Sequence, residues 1–148
     1  MKAIRPYERK VYYYETDKMS IMHHSNYIRI FEETRVHYLA EAGMPFEEIE
    51  ARGILMPVLS VECSYKRPLV FDEPFAVYIR IDKFNGASLY ASYRIVSRKT
   101  GELCAEGRSS HCFTDTELRP LRTKNRYPDI YSIFAQYNGL DFEEVAAE

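Results

Sequence analysis

The 148-residue sequence has no tryptophan, only three cysteines and six glycines, and no long apolar run. Cys63, Cys104 and Cys112 are odd in number and form no CxxC pair, so neither a secreted disulfide framework nor a zinc site is encoded. Each falls in a strand-like segment, where a small half-buried thiol is structural. The apolar runs fall far short of the roughly 20 residues that span a bilayer. The first residues, Met-Lys-Ala-Ile-Arg-Pro, lack a signal-peptide core, which makes the cytoplasm the expected location. Neither charge sign dominates: 20 basic against 22 acidic residues give a net charge of -2. That balance excludes a general nucleic-acid binder but leaves room for a local basic patch.

What the chain does contain is ordinary apolar content, 46%, and many aromatics, 13 tyrosines and 8 phenylalanines. A chain of this size suits one domain over 1–148 and buries about two thirds of its unfolded surface without a staple. Residues 9–15 read as a short strand, followed by an aperiodic polar segment from Thr16 to Ser25. Asn26 reads as an N-cap, and Tyr27 to Ala42 carries a helical stripe of Tyr27, Ile30, Phe31, Thr34, Tyr38 and Ala42. Ile28, Val36 and Leu39 widen it, as on a helix embraced by a sheet, and Gly43 and Pro45 end it. A short helix over Pro45–Arg52 follows. Alternation then marks strands at Met56–Tyr65, Phe75–Asp82, Leu89–Ile95 and Leu103–Thr114, with a hairpin turn at Asn85-Gly86. The expectation is one strand, a long helix and a four-strand antiparallel meander. From about residue 116 the chain is a tail packing on the body, with a helix over Pro128–Tyr137 and a frayed one over Asp141–Glu148.

Between the first strand and the long helix lie Glu15, Asp17, His23, His24 and Asn26. A helix N-terminus presents unpaired N–H groups that stabilise an oxyanion, and a carboxylate beside it can activate water or attack directly. The pairs His23-His24 and Glu32-Glu33 point apart, and neither HExxH nor GxSxG occurs, so no metal, no cofactor and no serine triad is expected. His37 and His111 read as structural histidines. His23 reads as exposed or structural, and Glu62 as a residue of the more polar strand face.

The run Tyr14-Glu15-Thr16-Asp17, six residues, then His24-Ser25-Asn26-Tyr27 resembles the signature of the 4-hydroxybenzoyl-CoA thioesterase-like acyl-CoA thioesterases. The likeness continues through Phe31-Glu32-x-x-Arg35 and Tyr65-x-x-Pro68-Leu69-x-x-Asp72, over roughly Arg9 to Phe113. It implies an α+β hotdog fold, a long central helix wrapped by a five-stranded antiparallel sheet. It implies hydrolysis of an acyl-CoA, with Asp17 as base or nucleophile, His24 as a second catalytic residue and the helix start near Tyr27 polarising the carbonyl. Ser20, Asn26, Tyr27 and Arg67 are the expected substrate-binding residues, and Lys66, Arg98, Lys99, Arg119 and Arg122 are further cations for coenzyme A phosphates. The family often has glycine where this chain has Ser20; a backbone N–H approaching the thioester there would be hindered by the added Cβ. The expected partners are the acyl-CoA and further copies of the chain, a homodimer or homotetramer with the pocket at the subunit interface. An acyl-carrier-protein thioesterase and a non-catalytic acyl-CoA-binding module are the alternatives.

Overall fold

The computed structural model describes residues 1–147. Five strands, β1 (Tyr7–Lys10), β2 (Val58–Tyr65), β3 (Pro74–Phe84), β4 (Ser88–Ser97) and β5 (Leu103–Cys112), form one antiparallel sheet in the order β1-β3-β4-β5-β2. The helix α1 (Ser25–Glu41) lies against its inner face, and α2 (Phe46–Ala51) follows. The alternation along β3 and β4 turns Phe75, Val77, Ile79, Ile81, Leu89, Ala91, Tyr93 and Ile95 inward, where they meet Ile30, Phe31, Tyr38 and Leu39 of α1 in one core. Asn85-Gly86 does turn the β3–β4 hairpin: Gly86 has φ 90°, and the Asn85 side chain accepts the Ala87 and Ser88 N–H groups.

The expected four-strand meander is corrected. Only β3, β4 and β5 run as one; β2 pairs with β5 on the far side, and β1 takes the place beside β3. The crossover, residues 66–73, carries the chain from the edge strand β2 across the sheet to β3, beside the opposite edge strand β1, and Met22 N–H, before α1, donates to its Leu69 O at 2.8 Å. Placed at an edge, β2 leaves Val58, Leu59, Val61 and Tyr65 exposed, although its sequence reads as core. The helix is not embraced all round either: Arg29, Glu32, Val36 and Ala40 face solvent.

Two further expectations change. The strand expected over 9–15 ends at Lys10 and gives way to a 3₁₀ turn at Tyr13–Glu15. The last segment is not frayed over its described residues: Asp141 and Glu144 form a capping box on the short helix α5 (Phe142–Ala146), and Val145 is buried. Between them α3 (Thr123–Arg126) and α4 (Pro128–Ala135) pack Ile130, Ile133 and Phe134 onto the body. Bonds that tie the tail to the body include Tyr38 Oη to Ile133 O at 2.6 Å, Tyr137 Oη to Lys2 O at 2.6 Å, Ile4 N–H to Val145 O at 2.9 Å and Gly139 N–H to Ile81 O at 2.8 Å. Glu148 lies outside the described residues.

Candidate active site

The loop from Tyr12 to His24 is held by a buried ion network. Arg9 at the end of β1 sits between the Tyr12 and Phe75 rings, 4.6 and 5.2 Å from their centroids. Its guanidinium grips both Glu15 oxygens at 2.8 and 2.7 Å and reaches Glu33 on α1 at 2.8 Å. Burial works against the Glu15 carboxylate, yet Arg9 and the Tyr12 N–H hold its pKa below the ordinary range. Glu15 then closes the loop with its backbone: its carbonyl accepts the His23 N–H at 2.8 Å and Asn26 Nδ2 at 2.9 Å. Inside this neck, Asp17 starts a tight turn. Asp17 N–H donates to Ile21 O, Ser20 N–H to Asp17 O, and Met19 N–H to Asp17 Oδ1 at 2.8 Å. One Asp17 oxygen therefore braces the turn while Oδ2 makes no bond among the described residues.

Asp17, His24 and Tyr27 line one side of a cleft of about 270 Å³, and Tyr65, Lys66 and Arg67 the other. The N-cap position is His24, not Asn26, and His23 before it covers two N–H groups: its Nδ1 accepts the Ser25 N–H at 3.2 Å and its carbonyl the Asn26 N–H at 3.0 Å. The His24 N–H keeps no partner among the described residues, so it is the donor left at this helix end. The exposed His24 ring lies tilted 4.2 Å from that of His23 and meets Tyr65 edge-on, and no hydrogen bond joins it to Asp17. Tyr27 is buried against Tyr65, centroids 4.9 Å apart, and burial pushes its phenol up to about 12. A larger cleft of about 580 Å³ on the outer sheet face is lined by charges already paired, Arg80 with Asp82 and Arg108 with Glu62, and holds no such constellation.

Asp17 of the loop and His24 and Tyr27 of the helix start thus share one cleft below the sheet. The profile of the thioesterase-like superfamily matches residues 11–143. The chain belongs to the thioesterase-like superfamily. It is 33% identical over 128 residues to YneP of Bacillus subtilis, provisionally named an acyl-CoA thioesterase, covering 86% of this chain and 92% of that one. To the acyl-CoA thioester hydrolase YbgC of Escherichia coli it is 25% identical over 88 residues, 60% of this chain and 66% of the relative. Among solved structures, a DHNA-CoA thioesterase of Staphylococcus aureus superposes with a TM-score of 0.84 at 27% identity, covering 89% of each chain. The hotdog fold and thioesterase family membership thus follow independently from sequence and from backbone.

Within this family frame, three of the expected substrate-binding residues need correction. Asn26 is no N-cap: the helix begins one residue earlier, and its buried amide is used on Glu15 O. Ser20 is exposed, lies outside the cleft lining, and has its N–H bound to Asp17 O, so that N–H is not the group that approaches a thioester. Its φ of 65° gives the physical reason for glycine at this place, a left-handed turn residue rather than a close contact with substrate. Arg67 borders the cleft, but its guanidinium is committed to Glu73 at 3.1 Å and Glu102 at 3.0 Å. Lys66 beside it has no ion pair among the described residues. Sequence reading missed Arg9 and Glu33 because both lie on other elements than the loop they hold, with no local pattern to join them. His37, read as a structural histidine, donates from Nε2 to Arg5 O at 2.9 Å.

Proposed function

We propose that this chain hydrolyses the thioester of an acyl-CoA, with Asp17 and His24 at the reacting carbonyl. The observation that carries the reading is that the uncommitted Asp17 oxygen and the unpartnered His24 N–H border one cleft. The thioester oxygen takes the His24 N–H, at the positive end of α1, and negative charge building on that oxygen is stabilised there. Asp17 either draws a proton from a water that attacks the carbonyl carbon, or attacks it itself to give a mixed anhydride that water then opens. In both routes the C–S bond breaks and coenzyme A leaves as the thiol. Lys66 at the cleft mouth serves the nucleotide phosphates in place of Arg67. The names borne by YneP, YbgC and the S. aureus enzyme support an acyl-CoA over a carrier-protein substrate.

The reading includes a homodimer as the smallest assembly. The edge strand β2 presents unpaired backbone together with exposed Val58, Leu59, Val61 and Tyr65, a surface that a second copy covers by pairing β2 with β2. It also takes the whole chain, tail included, as one catalytic unit in the cytoplasm, where its three free thiols stay reduced. Among the described residues no helix is long and apolar enough to cross a membrane, and no group of ligating side chains could hold a metal ion.

The test is thiol release from short, medium, long and aromatic acyl-CoAs. Asp17→Asn removes base and nucleophile while keeping size, and should lower kcat by roughly two orders of magnitude or more. Wild-type turnover in that variant would remove Asp17 from the chemistry. Turnover of no acyl-CoA by the folded wild-type protein would leave a binding module instead.

A further inference from the structure

Arg35 stands alone among charges. It lies half-buried in the middle of α1, and no carboxylate comes within ion-pair distance of it among the described residues. Its one hydrogen bond runs from Nη1 to Tyr93 Oη at 3.1 Å. Behind Tyr93 a buried polar chain continues: Tyr93 Oη to Ser109 Oγ at 2.5 Å, and Ser109 Oγ to His111 Nε2 at 2.8 Å. Arginine can only donate, so the order that leaves no hydroxyl proton unpaired runs from Arg35 through Tyr93 and Ser109 to His111. All three are neutral acceptors or relays, and they anchor the guanidinium without answering its charge. The remaining N–H groups of Arg35 have no partner among the described residues.

The position of this cation follows from two registers. Ile28 and Arg35 are seven residues apart on α1, on nearly one line of the helix surface and about 11 Å along its axis. Opposite them, the inner face of β2 carries Tyr65, Cys63 and Val61. Tyr65 meets Tyr27 at the helix start, and Val61 pairs in register with Ser109, the residue behind Arg35. The helix flank and the β2 strip therefore run side by side from the cleft to Arg35. Their walls are apolar and partly open, Val61 being 40% and Tyr65 50% exposed.

We infer that Arg35 receives a carboxylate at the far end of the acyl group, so that the preferred substrates are acyl-CoAs whose apolar chain ends in an anionic group. This rests on the thioesterase reading above and adds to it the class of acyl group. From the His24 N–H that takes the thioester to Arg35 is eleven residues, about 16 Å of helix axis. The Arg35 side chain leans back toward the helix N-terminus, so an extended chain of on the order of ten carbons, at about 1.25 Å each from C–C bonds of about 1.52 Å, spans the gap between thioester and guanidinium. The anchoring chain holds the guanidinium in place, so ordering it on binding is largely done beforehand.

The experiment compares a ten-carbon straight-chain acyl-CoA with its ω-carboxy counterpart, read as the ratio of their kcat/KM values. The wild-type protein should favour the carboxylate-ended substrate by about tenfold or more, as a charge-assisted hydrogen bond implies. Arg35→Gln should bring the ratio down by about the same factor, and Arg35→Lys should keep most of it. A wild-type ratio near one, or a ratio that survives Arg35→Gln, overturns the inference. So does a ratio unchanged while Arg35→Gln dissociates the oligomer on sizing, because the carboxylate is then one from a second copy. If Arg35→Gln does not fold, inhibition of the wild-type protein decides: the free ten-carbon dicarboxylate should inhibit about tenfold more strongly than the monocarboxylate, and equal inhibition refutes. Hydrolysis of neither substrate, nor of any other acyl-CoA, would fail the thioesterase reading itself, whereas good hydrolysis of the methyl-ended substrate alone fails only this inference.

Discussion

Lowering the pH from 8 to 5 should cost the folded protein about 2 kcal/mol through His111 alone. This ring is 1% exposed, and its Nε2 is bound to Ser109. Burial, reinforced by the positive charge of Arg35, pushes its pKa from 6.5 down to about 4. Because the folded pKa is the lower one, the unfolded chain binds the extra proton first. Stability from the neutral ring is fully present above pH 6.5 and is lost as pH falls toward 4. Integrating between those two values gives about 2 kcal/mol lost by pH 5 and about 3 kcal/mol at the limit below pH 4. Carboxylates held below their ordinary range, such as Glu15 and Glu73, lose their share at lower pH than this, mostly below 4.5. The assay is denaturant unfolding at pH 8, 6.5 and 5 and at one protein concentration, since an oligomer's stability depends on it. His111→Gln keeps a neutral polar side chain and removes the titration, so its profile should be flatter than wild type by that 2 kcal/mol. Parallel profiles for the two proteins would show that His111 is not held neutral by its surroundings.

Two smaller perturbations probe the backbone near the site. Ser20→Gly relieves a left-handed residue worth about 1–2 kcal/mol, less the roughly 0.5–1 kcal/mol of extra unfolded-chain entropy that glycine brings. It should raise the unfolding free energy by up to about 1 kcal/mol and leave turnover within about twofold; a clear fall in kcat/KM with the oligomer intact would mean that the Ser20 hydroxyl touches the reaction. Gly107→Ala should destabilise by about 1–3 kcal/mol, because its Cβ would stand 2.2 Å from the Phe31 ring and 2.9 Å from Glu62 O; a thermal melt matching wild type would show that Phe31 can move off Tyr93.

How much of this was legible in the sequence varies with the range of the interaction. Helix α1 and the β3–β4 hairpin are local: an apolar stripe at three- and four-residue steps, and alternation on either side of Asn85-Gly86, state their own geometry. The strand β2 shows the limit. Its alternation reads as core, but burial depends on which neighbour it finds, and the crossover 66–73 delivers it to the edge beside β5 with its apolar residues uncovered. The same holds within the site. Asp17, His24 and Tyr27 were readable because their spacing along one loop carries the family motif, and the structure does gather them on one cleft. Asn26 and Arg67 were misjudged because polar side chains near a site are claimed by whatever acceptor is closest. For Asn26 that is the Glu15 carbonyl, eleven residues back, and for Arg67 it is Glu73 and Glu102.

The buried ion network shows why the missed residues matter as much as the ones that were found. Taking Arg9 and Glu15 out of water is expensive, and a well-packed apolar cluster would stabilise the fold at least as well. What an apolar cluster cannot do is fix direction. The bidentate Arg9–Glu15 pair sets the orientation of the Glu15 peptide, whose carbonyl then bonds the His23 N–H and the Asn26 amide. His23, so placed, takes up the Ser25 and Asn26 N–H groups and leaves the His24 N–H as the open donor at the end of α1. A carbonyl-polarising site needs its donor held before the reaction, since any reorganisation at that moment is added to the barrier. The chain therefore spends buried charge at the neck of the loop rather than in the cleft. Asp17 and His24 themselves stay half-buried or exposed, open to water and substrate, while the groups that aim them are locked in the core.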